Sequence, residues 1–214
     1  MKTLAHFFSA VLTPLLMPFY GICIIFFFSY LYILPISFKL FIASGVLFFT
    51  AIIPAMTILW MYKTKKVKSI GLNDRHDREI PYVINLFGYG FCLYFLYKTR
   101  LPIWVLAFFI GCIGSIITAL LINIRWKISA HLTGISGLTG LAFGLASIQM
   151  TFPIVLFCTL IMLTGILGSA RIGLGRHTLM QVTAGVINGF IWVFGSILLI
   201  SFYFCLLYTS PSPR

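Results

Sequence analysis

Apolar residues run in stretches of about 17 or more from near the N-terminus to residue 205, separated by short polar breaks. Stretches of that length suit the roughly 20 residues needed to cross a hydrocarbon layer about 30 Å thick. Strand-like alternation is absent, and a helix satisfies its own backbone in lipid. The pattern therefore predicts an all-α polytopic bundle of six to seven membrane helices. Residues 4 to about 32 are broken by Pro14 and Pro18, which predicts an interfacial or kinked helix leading into one span. This stretch is too long and too interrupted for a cleaved leader. Further spans are expected at 40–61, 80–97, 103–124, 132–148, 152–168 and 180–205. Alternation across the membrane brings the polar breaks 63–79, 125–131 and 171–177 to one side.

Composition strengthens this reading. The chain of 214 residues is 61% hydrophobic and only 8% charged, against about 25% charged in soluble domains. The net charge of +12 sets fifteen Lys and Arg against Asp74, Asp77 and Glu79. Because the cations sit in short loops between spans, lipid headgroups and phosphates are the expected partners, and not nucleic acid. Several cations on the richer side are candidate ligands, so the positive-inside rule sets no orientation. The five cysteines lie within apolar runs, without paired or metal-type spacing, and read as packing residues. Aromatic residues near span ends, among them Trp60, Tyr62, Tyr97, Trp104 and Trp126, read as belt anchors. Gly134, Gly137, Gly140 and Gly144 read as a close helix contact in the fifth span. The final ten residues look like a translated sequencing adapter, which leaves a single domain over 1–204 with its chemistry in 68–189.

Candidate chemistry concentrates in Ser169-Ala-Arg-Ile-Gly-Leu-Gly-Arg-His177-Thr-Leu-Met-Gln181. Arginine costs about 2.5 to 3.5 kcal/mol at the centre of a membrane helix, so clustered cations at the boundary point to an anion. His177 and Gln181 are four apart and share a helical face. Arg171 precedes the histidine across Gly173 and Gly175, which are expected to let the chain bend back. This stretch resembles the third signature of the phosphatidic acid phosphatase type 2 and haloperoxidase superfamily, SRxxxxxHxxxD, with the serine displaced by one. Lys127-Ile-Ser-Ala-His131 is similar to the family's PSGH signature, Ser129 and His131 matching. Lys68 and Arg75 have the separation of its KxxxxxxRP signature, with His76 in place of Pro, and Arg78 would share their face if the segment is helical.

The resemblance implies phosphoryl transfer through a phosphohistidine, on a lipid phosphate or polyprenyl diphosphate in a bacterial inner membrane, with no metal or other cofactor. His177 would be the nucleophile and His131 the general acid, with Lys68, Arg75, Arg78, Lys127, Ser129 and Arg171 around the phosphate. Gln181 stands where the family places Asp; it can orient an imidazole but brings no charge, so activation weakens more than binding. Two rivals are open. One is a non-catalytic binder or transporter of anionic lipid. The other is an intramembrane prenyltransferase, because Asn73-Asp74-Arg75-His76-Asp77 matches a magnesium-diphosphate motif, although no second acidic cluster accompanies it.

Overall fold

The computed structural model describes residues 2–67 and 76–209, with side chains as far as Tyr203, and these residues form a helical bundle without strands. In chain order the helices are α1 (Lys2–Val11), α2 (Met17–Phe28), α3 (Ile36–Leu47), α4 (Ile53–Lys63) and α5 (Glu79–Lys98). They continue as α6 (Ile103–Arg125), α7 (Ala130–Gln149), α8 (Ile154–Gly173) and α9 (Leu179–Thr209). Taken as continuous stretches, α1 with α2 and α3 with α4, seven are long and apolar enough to cross a membrane. The protein is an integral, multi-pass, all-α membrane protein.

Prolines set both breaks. Thr13 is extended ahead of Pro14, a single tight turn follows over Pro14–Leu16, and Pro18 falls in the first turn of α2, where its missing N–H costs nothing. The result is a short α1 that ends ahead of Pro14, as the interrupted pattern implied; it packs beside α8. Between α3 and α4, Pro54 cannot donate to the preceding turn, and the chain widens into a π turn over Phe48–Ile52. The Phe49 carbonyl then lies so near α5 that a methyl group at Gly88 would sit 2.6 Å from it.

The centre of the bundle is α7, 61% buried along its apolar window against 44% or less for the other spans. Small residues make this possible, since helices approach closely in lipid only where side chains are short. An added Cβ at Gly189 of α9 would lie 1.9 Å from the Thr133 carbonyl of α7, and one at Gly185 would lie 2.7 Å from that of Ser129. Gly140 answers from α7 against the Phe190 carbonyl, while Gly134 faces Met17 of α2 instead. On its other flank α9 is tied to α6 by bonds from Asn188 Nδ2 to the Ser115 carbonyl, Trp192 Nε1 to Thr118 Oγ1 and Ser196 Oγ to the Ala107 carbonyl.

The two ends of the bundle differ. At one, Gln149 bonds the backbone of Phe28 and Tyr30, and Trp104 donates to the Tyr30 hydroxyl. Trp104 is buried there, so it packs within the bundle and does not anchor the belt. Cys92 is buried as expected of a packing residue, whereas Cys158 is exposed. At the other end the α6–α7 and α8–α9 connections meet, and Arg78, just ahead of α5, reaches them; this much of the convergence expected from alternation lies within the described residues.

Candidate functional site

The α8–α9 corner is set by two local motifs. α8 runs on to Gly173, five residues past the expected end of that span, so Arg171 is helical and buried, in place of lying in a loop. It stops in a Schellman turn: Gly175 takes φ +64, its N–H bonds the Ile172 carbonyl at 2.8 Å, and the Arg176 N–H bonds the Arg171 carbonyl at 3.1 Å. Gly175 alone makes the bend, because Gly173 is still helical. Ser169 is exposed on the outer face, so it does not take the place of the family's serine.

Three residues later the chain re-enters helix through a capping box, Thr178-Leu-Met-Gln181. The Gln181 N–H donates to Thr178 Oγ1 at 3.4 Å, and Gln181 Oε1 accepts the Thr178 N–H at 3.3 Å. The same Oε1 lies 3.1 Å from His177 Nδ1. A backbone N–H can only donate, so the amide atom facing it is the oxygen, and that oxygen can only accept. His177 therefore carries its proton on Nδ1 and keeps the lone pair on Nε2.

The α6–α7 connection closes against this corner. The Ser129 N–H donates to the Gln181 carbonyl at 3.3 Å, Lys127 Nζ to the Arg176 carbonyl at 2.9 Å, and Arg78 Nη1 reaches the Ile128 carbonyl at 3.1 Å from the start of α5. His177 is buried, and burial together with the charges of Arg78, Arg171 and Lys127 pushes its pKa down to about 3, against a smaller opposite effect of the Gln181 bond. Arg171 is buried with its Nε unpartnered, and Ser129 Oγ is likewise enclosed without a partner. Burying a cation in this way is costly without an anion to meet it. His131, in the first turn of α7, gives its Nε2 proton to the Ser9 carbonyl of α1 at 3.2 Å.

A cavity of about 570 Å³ opens from this cluster into the bundle. Its polar end carries Arg78, His131, Arg171 and Arg176, and its far wall is apolar, with Phe108, Leu138 and Val193.

The chain matches no protein-family model, no curated protein and no solved structure.

Of the residues expected to surround a phosphate, Arg78, Arg171 and His131 line the cavity. His177, Ser129, Lys127 and Gln181 gather beside it without forming its wall, and the Lys127 amine is turned onto the Arg176 backbone. Lys68 and Arg75 fall outside the described residues, as do Asn73 and Asp74 of the NDxxD stretch. Arg176 also lines the cavity, half-buried. Tyr82 and Asn85 of α5 and Ser9 of α1 also line it, and sequence reasoning missed all three. The first two had a signal: Arg78, Tyr82, Asn85 and Tyr89 are spaced four, three and four, a polar stripe along one face of an apolar helix.

Proposed function

We propose that the protein is a membrane lipid phosphatase that hydrolyses a phosphate or diphosphate monoester through a phosphohistidine. Among known proteins the reading places it with the phosphatidic acid phosphatase type 2 superfamily; that placement, and a bacterial inner membrane as its setting, rest on motif resemblance. The observation that carries the chemistry is the His177–Gln181 bond at 3.1 Å, which leaves Nε2 unprotonated amid the charges of Arg78, Arg171 and Lys127.

In the proposed reaction His177 Nε2 forms a bond to phosphorus as the bond from phosphorus to the lipid oxygen breaks. His131 must enter this step as the imidazolium; it gives its Nε2 proton to that leaving oxygen and becomes neutral, so the lipid departs as an alcohol. Water, deprotonated by the now neutral His131, then attacks the phosphohistidine and releases inorganic phosphate, restoring the neutral ring of His177 and the imidazolium of His131. Arg171 holds the transferring group by charge-assisted bonds, and Ser129 Oγ offers a further donor. Gln181 keeps the nucleophile in its tautomer, as Asp would, but lends no negative charge to the imidazolium that forms.

Two observations favour the non-catalytic reading as runner-up. His177 stands beside the cavity and not in its wall, and the His131 proton is already given to the Ser9 carbonyl, so turnover needs α1 to yield that bond. A binder would need neither change. The test is phosphate release by purified wild type, His177→Ala and Gln181→Asp on a panel of lipid phosphates and polyprenyl diphosphates. We expect release by wild type, none from His177→Ala, and preserved or raised release from Gln181→Asp. Release unchanged in the alanine variant removes His177 from the chemistry, and binding without release by wild type leaves the binder.

A further inference from the structure

Ser9 stands against His131 although it lies on α1, outside every motif of the sequence. Its carbonyl accepts the His131 Nε2 proton at 3.2 Å. Its hydroxyl, a few bonds away in the same residue, is enclosed and has no hydrogen-bond partner, and both residues line the cavity. Enclosed hydroxyls almost always have a partner, in the protein or in an ordered water.

The proposed reaction changes what faces the Ser9 carbonyl. Before the first step Nε2 carries a proton and the bond to the carbonyl is sound. Once that proton has gone to the leaving oxygen, Nε2 presents a lone pair, and two acceptors face each other with no hydrogen between them. A water resolves the conflict: it gives one O–H to Nε2 and the other to the carbonyl, while the Ser9 hydroxyl donates to its oxygen. Those groups are as many partners as a buried water ordinarily has, and its remaining lone pair faces phosphorus. Room for the water comes from α1, which holds no buried side chain and gives way to the extended Thr13 ahead of Pro14.

We propose that Ser9 is a positioning residue that seats the hydrolytic water, and that the seat forms only after His131 has lost its proton. The assignment rests on the phosphatase reading. In the step it governs, the water oxygen bonds phosphorus as the bond from phosphorus to His177 Nε2 breaks, its electron pair returning to the ring. One water proton passes to His131 Nε2, and the other stays on the phosphate. The earlier transfer from lipid to His177 uses no water and therefore does not need the Ser9 hydroxyl.

The test separates these two halves in purified wild type, Ser9→Ala and Ser9→Thr. Alanine removes the hydroxyl and keeps the carbonyl; because that hydroxyl is unpartnered, the melting midpoint should not fall. Phosphatidic acid and farnesyl diphosphate, each radiolabelled in the terminal phosphate, are the probes, and quenching in alkali preserves the phosphohistidine for counting. Ser9→Ala should form the phosphohistidine at the wild-type rate but break it down about tenfold more slowly, the cost of one hydrogen bond to the attacking water. More label should then stand on the protein at steady state. Glycerol, an added acceptor that does not depend on the seat, should take a larger share of the phosphoryl group from Ser9→Ala than from wild type. Ser9→Thr, which keeps a hydroxyl, should restore breakdown. Unchanged breakdown in Ser9→Ala, or equal slowing of both halves, overturns the seat and leaves the phosphatase standing. Wild type that releases no phosphate from either probe overturns both.

Discussion

Replacing Gly189 by alanine puts a methyl group 1.9 Å from the Thr133 carbonyl oxygen, where ordinary contact begins at 3.4 Å. Helices α7 and α9 must then part by about 1.5 Å at this level, the difference between those distances, because the clash is with backbone and no side chain can swing away. Overpacking of this kind costs about 1–3 kcal/mol, and the gain in helix propensity from Gly to Ala returns no more than about 1 kcal/mol. A clash this deep with backbone belongs at the upper end of that cost, about 2 kcal/mol net, and in a chain of this size each kcal/mol lowers the melting midpoint by about 2–4 °C, so a fall of roughly 4–8 °C is expected. One turn nearer the site, Gly185 rests on the Ser129 carbonyl, and the separation therefore reaches the loop that faces His177. A misplacement of about 1 Å between reacting groups costs on the order of 100-fold in rate. Gly195→Ala is the control, since it lies in the same helix with no atom within 4 Å of its added methyl. Melting in one detergent, followed by the fluorescence of the four tryptophans, and phosphate release from a lipid phosphate give the two readouts. Gly189→Ala should lose on both, and Gly195→Ala on neither. A Gly189→Ala protein that melts with wild type would show that α7 and α9 do not pack backbone to backbone, and the reasoning would fall.

Other outcomes follow from the site. Arg171→Met should leave the melting midpoint unchanged or higher, because a buried cation is replaced by an apolar chain of similar length, while KM for a lipid phosphate rises about 10- to 100-fold; a lower midpoint with unchanged KM contradicts the role given to Arg171. Between pH 6.5, the ordinary histidine value, and about 3, the unfolded chain binds a proton that folded His177 refuses, so stability falls as pH falls through that window. His177→Gln should reduce this decline without abolishing it, because three further histidines, His131 of the same cluster among them, remain in the chain. Phosphate release should persist in excess chelator; its loss on chelation and return with magnesium would favour the diphosphate chemistry of the NDxxD stretch instead.

The spans were legible because each announces itself in hydropathy, and α1 with its proline break was legible for the same reason. Arg171 misled the reading of α8, since a charged residue looks like the end of a span. Here the helix continues past it because Arg171 faces the cavity and not the lipid, and no sequence pattern alone states which way a single arginine faces. The His177–Gln181 pair was visible as a spacing of four, yet Thr178-x-x-Gln181 also spelled a capping box, and that motif is what brings the glutamine oxygen to the imidazole. The cavity itself could not be read, because α1, α5 and α8 meet around it without being neighbours in sequence.

One consequence of that capping box concerns how the site would fail. A single amide oxygen holds both the first turn of α9 and the ring of His177. Fraying at the helix start and rotation of the imidazole are thus one event, so a disturbance such as loss of the Thr178 hydroxyl acts as a fault in the nucleophile, although Thr178 touches no substrate. Residues chosen to keep that turn wound serve the imidazole as directly as any that contact it.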